Sequence, residues 1–264
     1  MPPEDVDPAD VHKSHPGNVW VSDMRQESPH TLSATFRIPP AKHPPRFAEL
    51  MEVQRQAGML QLHRQAKVAH HAVLVLDRIS LRFVVDGVAG RDAVRSGRVR
   101  SHLVAAPETR TRRTLRQFFD LETEHGLIAL GRSQVKVLPR PLYVRLRRSA
   151  AETPTEADAG TSSATGFTPL PIAAGDPLTS DHPSDHVTAM QLAAAIERAI
   201  TGTRPGSALT SLKLVFRAYT ERATTPLVRC SAHDDGIITG DVRQGGLVRA
   251  HFSARVEPLE GGER

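Results

Sequence analysis

Residues 51–65 read MEVQRQAGMLQLHRQ, and four of them have no ordinary reason to share a segment with Met51, Val53, Leu60 and Leu62. Glu52, Arg55, Gln56 and His63 bring a carboxylate, a guanidinium, an amide and an imidazole into a run that otherwise reads as core. On a helix turning about 100° per residue, Arg55, Gln56, Met59 and His63 all fall within roughly 60° of Glu52. The polar groups therefore make one stripe, flanked by Val53, Ala57 and Leu60 on one side and by Met51, Gly58 and Leu62 on the other. A helix apolar on both flanks is a buried helix, and a polar stripe along it faces a cavity or a partner. Glu52, its pKa raised by an apolar surround, can serve as a general base, although Arg55 opposes that shift. Arg55 can grip an anion bidentately, and Gln56 can orient Glu52 or a carbonyl. The same spacing also fits a structural pair, Glu52 with Arg55 at i, i+3, and His63 further along fits a satisfied core histidine.

A second cluster, HPSDH at 182–186, places Asp185 beside His186 just before another apolar run. It has no Cys or Glu at metal-ligand spacing, and the adjacent His70 and His71 point apart in a strand. The single cysteine, Cys230, excludes an internal disulfide and a cysteine metal cluster. Walker, dinucleotide-binding and Gly-x-Ser-x-Gly patterns are absent from the sequence. Neither a cofactor nor a metal is expected.

Positioning these residues takes two helices, one beginning near Phe47 and one from about Thr188. Strand-like runs follow the first at 71–85, 97–106, 113–124 and 127–138, and the second at 208–220, 225–233, 236–244 and 246–258. DDG at 234–236 and QGG at 244–246 supply hairpin turns. Residues 149–166, SAAETPTEADAGTSSATG, are small and polar and read as a flexible linker. The division is then an N-terminal unit, 1–148, and a C-terminal unit, 167–264. This layout predicts an α+β double hotdog: two tandem units, each a central helix wrapped by a curved antiparallel sheet.

The two halves differ where chemistry would be done. Asp185 stands as far before Ala194 as His43 stands before Glu52. On that register Ala194, Glu197 and Arg198 take the places of Glu52, Arg55 and Gln56. The second half lacks the acid and the first lacks the Asp-His pair. Hotdog sites form where two units meet, so Glu52 and His186 can complete one site and leave the opposite junction vacant. Unrelated drift of the halves is the alternative.

Three stretches carry a family resemblance. VHKSHPGNVWVSD (11–23), with its His-Lys pair and Val-x-Val-Ser-Asp, resembles the opening of the A-factor (γ-butyrolactone) biosynthesis hotdog family. LMEVQRQAGMLQLH (50–63) is similar to that family's Glu-x-x-Arg-Gln helix with a later His. HPSDHVTAM (182–190) is similar to its Asp-His-Val-Pro-Gly-Met run, with Thr188 and Ala189 in place of Pro-Gly. The resemblance implies an acyltransferase that joins a β-ketoacyl group, carried by an acyl carrier protein, to the hydroxyl of dihydroxyacetone phosphate. The product is an early ester precursor of butyrolactone-type signalling molecules. Glu52, Arg55, Gln56 and His186 are then the catalytic candidates, and His12, Lys13, Asp185 and His63 the substrate-binding ones. Arg55, Lys13 and His12 are the candidates for the phosphate, and amides at a helix start for the oxyanion. Two alternatives share the site: a hotdog dehydratase or thioesterase, and a non-catalytic hotdog that binds an acyl ligand.

Composition narrows the partners. The 264-residue chain is 39% hydrophobic, enough for a real core. Its net charge of +5 favours anionic partners such as phosphorylated metabolites and acidic carrier proteins. Nucleic acid fits least, because aromatics are only 4% and no helix-turn-helix or zinc-finger spacing occurs. The arginine runs at 109–113 and 145–148 read as solvated faces. No stretch has the length of a membrane span, and MPPEDVDPAD lacks the basic and apolar regions of a signal peptide. A cytoplasmic protein is expected, with further pairing into a homodimer left open.

Overall fold

A computed structural model describes residues 6–41, 46–84, 94–105, 113–151, 166–173, 181 and 184–258. Two 3-10 turns, Pro8–Val11 and Pro16–Asn18, lead into a hairpin of β1 (Val21–Ser28) and β2 (Thr31–Arg37). Helix α1 (Phe47–Arg64) follows, then β3 (Val73–Phe83), β4 (Ser96–Ala105), β5 (Arg113–Thr123), β6 (Gly126–Leu138) and helix α2 (Arg140–Ala151). The rest of the chain contributes the short β7 (Thr168–Pro169), helix α3 (Ala189–Thr203), β8 (Ser207–Phe216), β9 (Leu227–Ala232), β10 (Ile237–Gln244) and β11 (Leu247–Pro258).

The strands form one sheet in the order β1-β2-β4-β5-β6-β3-β8-β11-β10-β9-β7. Everything before α2 lies on one side and everything after it on the other. The two sides meet at the antiparallel pair β3–β8, which runs only from Arg78↔Val215 to Arg82↔Ser211. Next to the end of that pairing, β3 carries an irregularity between Leu76 and Arg78. Pairing between the halves therefore stops there, although β3 continues along β6 to Val73.

Helix α1 is buried from Phe47 to His63 at every residue except Arg55. Its flanks supply the core: Met51, Val53, Ala57, Leu60 and Leu62 are fully enclosed. Gly58 lets the helix sit close to β5. A Cβ there would lie 3.0 Å from Gln117 Oε1 and 3.1 Å from the Phe119 ring. Helix α3 begins with a capping box, in which Gln191 N donates to Thr188 Oγ1 and Thr188 N to Gln191 Oε1. Glu49 likewise accepts from Arg46 N at the start of α1.

Two elements add to the expected layout. The β1–β2 hairpin precedes α1, and α2 forms where an arginine-rich solvated face was read. Helix α2 also takes in residues 149–151 of the expected linker; residues 152–165, like His43 and 109–112, lie outside the described residues. No helix among the described residues is long and apolar enough to cross a membrane.

Candidate active site

Where β3 and β8 stop pairing, a cavity of about 330 Å³ opens between the halves. Its apolar wall comes from Met59, Leu62, Leu74, Leu76, Val135 and Phe216. Its polar lining includes His12 and Arg55 from the first half, and His186, Thr188 and Tyr219 from the second. Ala189 at the start of α3 also faces it. Of the eight residues expected at the site, three line this cavity, and the other five stand behind them.

Behind Arg55 lies Glu52. Arg55 donates to both Glu52 oxygens, from Nε at 2.8 Å and from Nη2 at 2.8 Å, and also from Nη2 to Val11 O. Lys13 Nζ is 3.1 Å from Glu52 Oε1, and Gln56 Nε2 donates to the same oxygen at 2.9 Å. The Glu52 and Lys13 side chains are 1% and 3% exposed. Burial pushes the Glu52 carboxyl up, but Arg55, Lys13 and Gln56 together outweigh it and hold the group below the ordinary carboxylate range. This corrects the expectation of a raised pKa. A carboxylate held ionised by two cations is a poor proton acceptor, and Glu52 does not line the cavity. Lys13 is a correction too: a buried ammonium needs a counter-ion, so it faces Glu52 instead of a ligand phosphate. Gln56 is fully committed, accepting from Trp20 N and donating to Asn18 O as well as to Glu52. Burial opposes the charge on Arg55, but Glu52 prevails and keeps the guanidinium protonated.

Behind His12 lies His63. His63 Nδ1 donates to Val68 O at 2.7 Å, so Nε2 of its neutral ring accepts from His12 Nε2–H at 3.0 Å. Burial lowers the His63 pKa against the pull of the Val68 carbonyl, which keeps that ring neutral. His63 stacks on His70 at 4.3 Å, and His70 Nε2 lies 3.3 Å from Asp10. His12 itself sits in the left-handed region, φ 53°, as the cap of the first 3-10 turn.

Behind His186 lies Asp185. His186 Nδ1 and Asp185 Oδ1 are 2.6 Å apart. An ionised carboxylate only accepts, so Nδ1 carries the proton and the lone pair of the neutral ring is on Nε2. Burial raises the Asp185 carboxyl, but His186, Tyr143 and Arg147 together bring it below its ordinary value. The backbone is fixed as well: Val187 N donates to Thr220 O, and Arg222 Nε to His186 O. The carboxylate that serves His186 is thus its own neighbour and not Glu52. Sequence reading missed Tyr143 and Arg147; the signal available was their i, i+4 spacing in PLYVRLRRS.

Asp181 joins the two sides, accepting from Ser14 N at 3.0 Å and from His15 N at 3.3 Å. At the far end of α1, Glu197 of α3 accepts from Phe47 N at 2.7 Å and from Ala48 N at 2.9 Å. Burial raises the Glu197 pKa, and the two amides only partly offset it.

An antiparallel sheet wrapped on long buried helices is shared with solved structures. The 12:0-ACP thioesterase from Umbellularia californica aligns with a TM-score of 0.57 at 12% identity, over 89% of this chain and 99% of that one. An acyl-ACP thioesterase from Bacteroides thetaiotaomicron gives 0.56 at 12%, over 86% and 98%. HtdX of Mycobacterium tuberculosis gives 0.52 at 14%, over 86% and 100%. The fold is a hotdog. Residues 1–122 match the AfsA family model, the A-factor biosynthesis hotdog domain. The match ends before HPSDHVTAM. Among curated proteins, nothing matches.

Proposed function

We propose that the two halves are tandem hotdog units and that the cavity between them transfers a β-ketoacyl group from an acyl carrier protein thioester to the hydroxyl of dihydroxyacetone phosphate. The observation that carries this reading is the cavity itself: an apolar wall that suits an acyl chain, ending at an acid-backed histidine, an arginine and a helix start. His186 Nε2 takes the proton of the hydroxyl, whose oxygen attacks the thioester carbonyl. The α3 start offsets charge developing on the carbonyl oxygen. Collapse breaks the carbon–sulfur bond, and the proton held by His186 passes to the departing thiolate. Arg55 and His12 are the cavity groups suited to the phosphate, and Lys13 is withdrawn from that role. Glu52 acts at one remove, holding Arg55 in place. The A-factor domain match and an acyl-carrier thioesterase among the fold's relatives support an acyl thioester as donor.

A thioesterase is the second reading, favoured because an Asp-backed histidine activates water as readily as an alcohol. Mass spectrometry of the products from a synthetic β-ketoacyl thioester and dihydroxyacetone phosphate separates the two. A phosphorylated ester supports transfer; free β-keto acid with or without the acceptor identifies hydrolysis and overturns it.

A further inference from the structure

Helix α2 comes from the first half, yet its side chains end on the second. Tyr143 and Arg147 share one face at i, i+4. Tyr143 Oη lies 3.1 Å from each Asp185 oxygen and donates to that carboxylate. Arg147 Nε donates to Asp185 Oδ2 at 3.2 Å, while its Nη1 and Nη2 donate to Glu221 Oε1 and Oε2 at 2.6 and 2.9 Å. The guanidinium lies 4.8 Å from the centre of the Tyr219 ring, which packs 4.7 Å from the His186 ring and 5.8 Å from that of Tyr143. Glu221 is also the backbone bridge partner of His186. Arg147 therefore spans both sides of the histidine, the residue before it and the bridge partner opposite.

We propose that Tyr143 and Arg147 are positioning residues that hold Asp185 against His186 Nδ1 and so fix the ring with Nε2 as its proton-accepting nitrogen. The Asp185 side chain is 54% exposed, and a carboxylate that open to water has other rotamers to visit. Donors from α2 remove that freedom. One guanidinium, Arg147, is shared between two carboxylates, Asp185 and Glu221. Ser184, Tyr219 and Arg222 also touch His186, and Arg249 acts on Glu221 beside it. Hydrogen bonding from Arg147 holds Glu221 below the ordinary carboxylate range, which keeps that second negative charge in place. Without the guanidinium, Asp185 loses the donor that ties it to Glu221 and its carboxylate is free to leave His186 Nδ1.

The proposal rests on His186 being the working base, so the test reads the ring directly as well as through turnover. The full chain carries 13C,15N-labelled histidine, with the His186 signal assigned by His186→Gln. Nitrogen shifts should show the Nδ1–H tautomer in the wild type and a mixture in Tyr143→Phe. Arg147→Met should give the same mixture, and Arg147→Lys should return the signals towards the wild type while turnover stays depressed. Losing one charged hydrogen bond predicts a kcat roughly tenfold lower in Tyr143→Phe with KM unchanged. An unchanged tautomer in folded Tyr143→Phe and Arg147→Met overturns the proposal. If Arg147→Met does not fold, Arg147→Lys and Tyr143→Phe decide it. Full turnover in His186→Gln would instead sink the reading of the site, and the ring signals would still decide the positioning.

Discussion

The starts of the two central helices are built alike and used differently. At α1 the first two amides, Phe47 N and Ala48 N, are taken by the Glu197 carboxylate. At α3 no carboxylate among the described residues caps Ala189 or Met190, and Ala189 faces the cavity. Counted from each helix start, Glu197 occupies the position in α3 that Arg55 occupies in α1. Ala194 stands where Glu52 does. An acid at this position reaches the neighbouring helix start and fills it; an arginine, held back by its own glutamate, leaves the neighbouring start open. The chain thus carries its own anion at one helix start and leaves the other facing the cavity. The lesson is about charge placement: a helix N-terminus attracts an anion, and the residue at this one position decides whether that anion is internal.

The comparison breaks first at Glu52. Glu52→Ala removes the carboxylate that Lys13 and Arg55 share in the interior and should cost about 3–5 kcal/mol of stability, measured by urea denaturation. A loss below about 1 kcal/mol would mean the cations find other partners, which single buried charges rarely do. Glu197→Ala should cost less, roughly 1–3 kcal/mol, because it uncovers two amides and leaves no stranded charge. If it costs as much as Glu52→Ala, Glu197 does more than cap. The smallest effect is the sharpest in sign. Glu52 has a depressed pKa, so its contribution is present above the unfolded carboxyl range and is lost as pH falls through its folded value. Glu197 has a raised one, so stability it confers at low pH is lost as pH rises from the unfolded value through the folded value. The cost of Glu52→Gln should therefore shrink on acidification, and that of Glu197→Gln should grow. Parallel trends in denaturation curves, carried from below the ordinary carboxylate range up to neutrality, would remove the contrast.

What could be read beforehand follows the physics of each signal. The helices beginning near Phe47 and Thr188 were legible because burial periodicity is local. So were β3 to β6 and β8 to β11, from their alternation and turns. The β1–β2 hairpin was missed because VSDMRQES buries little and carries few strand formers. Helix α2 was missed because its arginines looked like a solvated face until Asp185 and Glu221, distant in sequence, were placed against Arg147. The stripe on α1 was found, but its sign was wrong for Glu52. Helical spacing puts Arg55 beside it, whereas Lys13 arrives from a loop that no periodicity predicts. Glu197 as the cap of α1 was likewise beyond reach, since the contact spans the two halves.

The central claim is that one junction takes a ligand and the other is filled from within. Isothermal titration of the full chain with a non-hydrolysable β-ketoacyl pantetheine thioether tests it most directly. One ligand per chain, lost in His186→Gln and kept in Glu197→Gln, is the predicted result. Two ligands per chain, or one that disappears with Glu197→Gln and persists without His186, would contradict it.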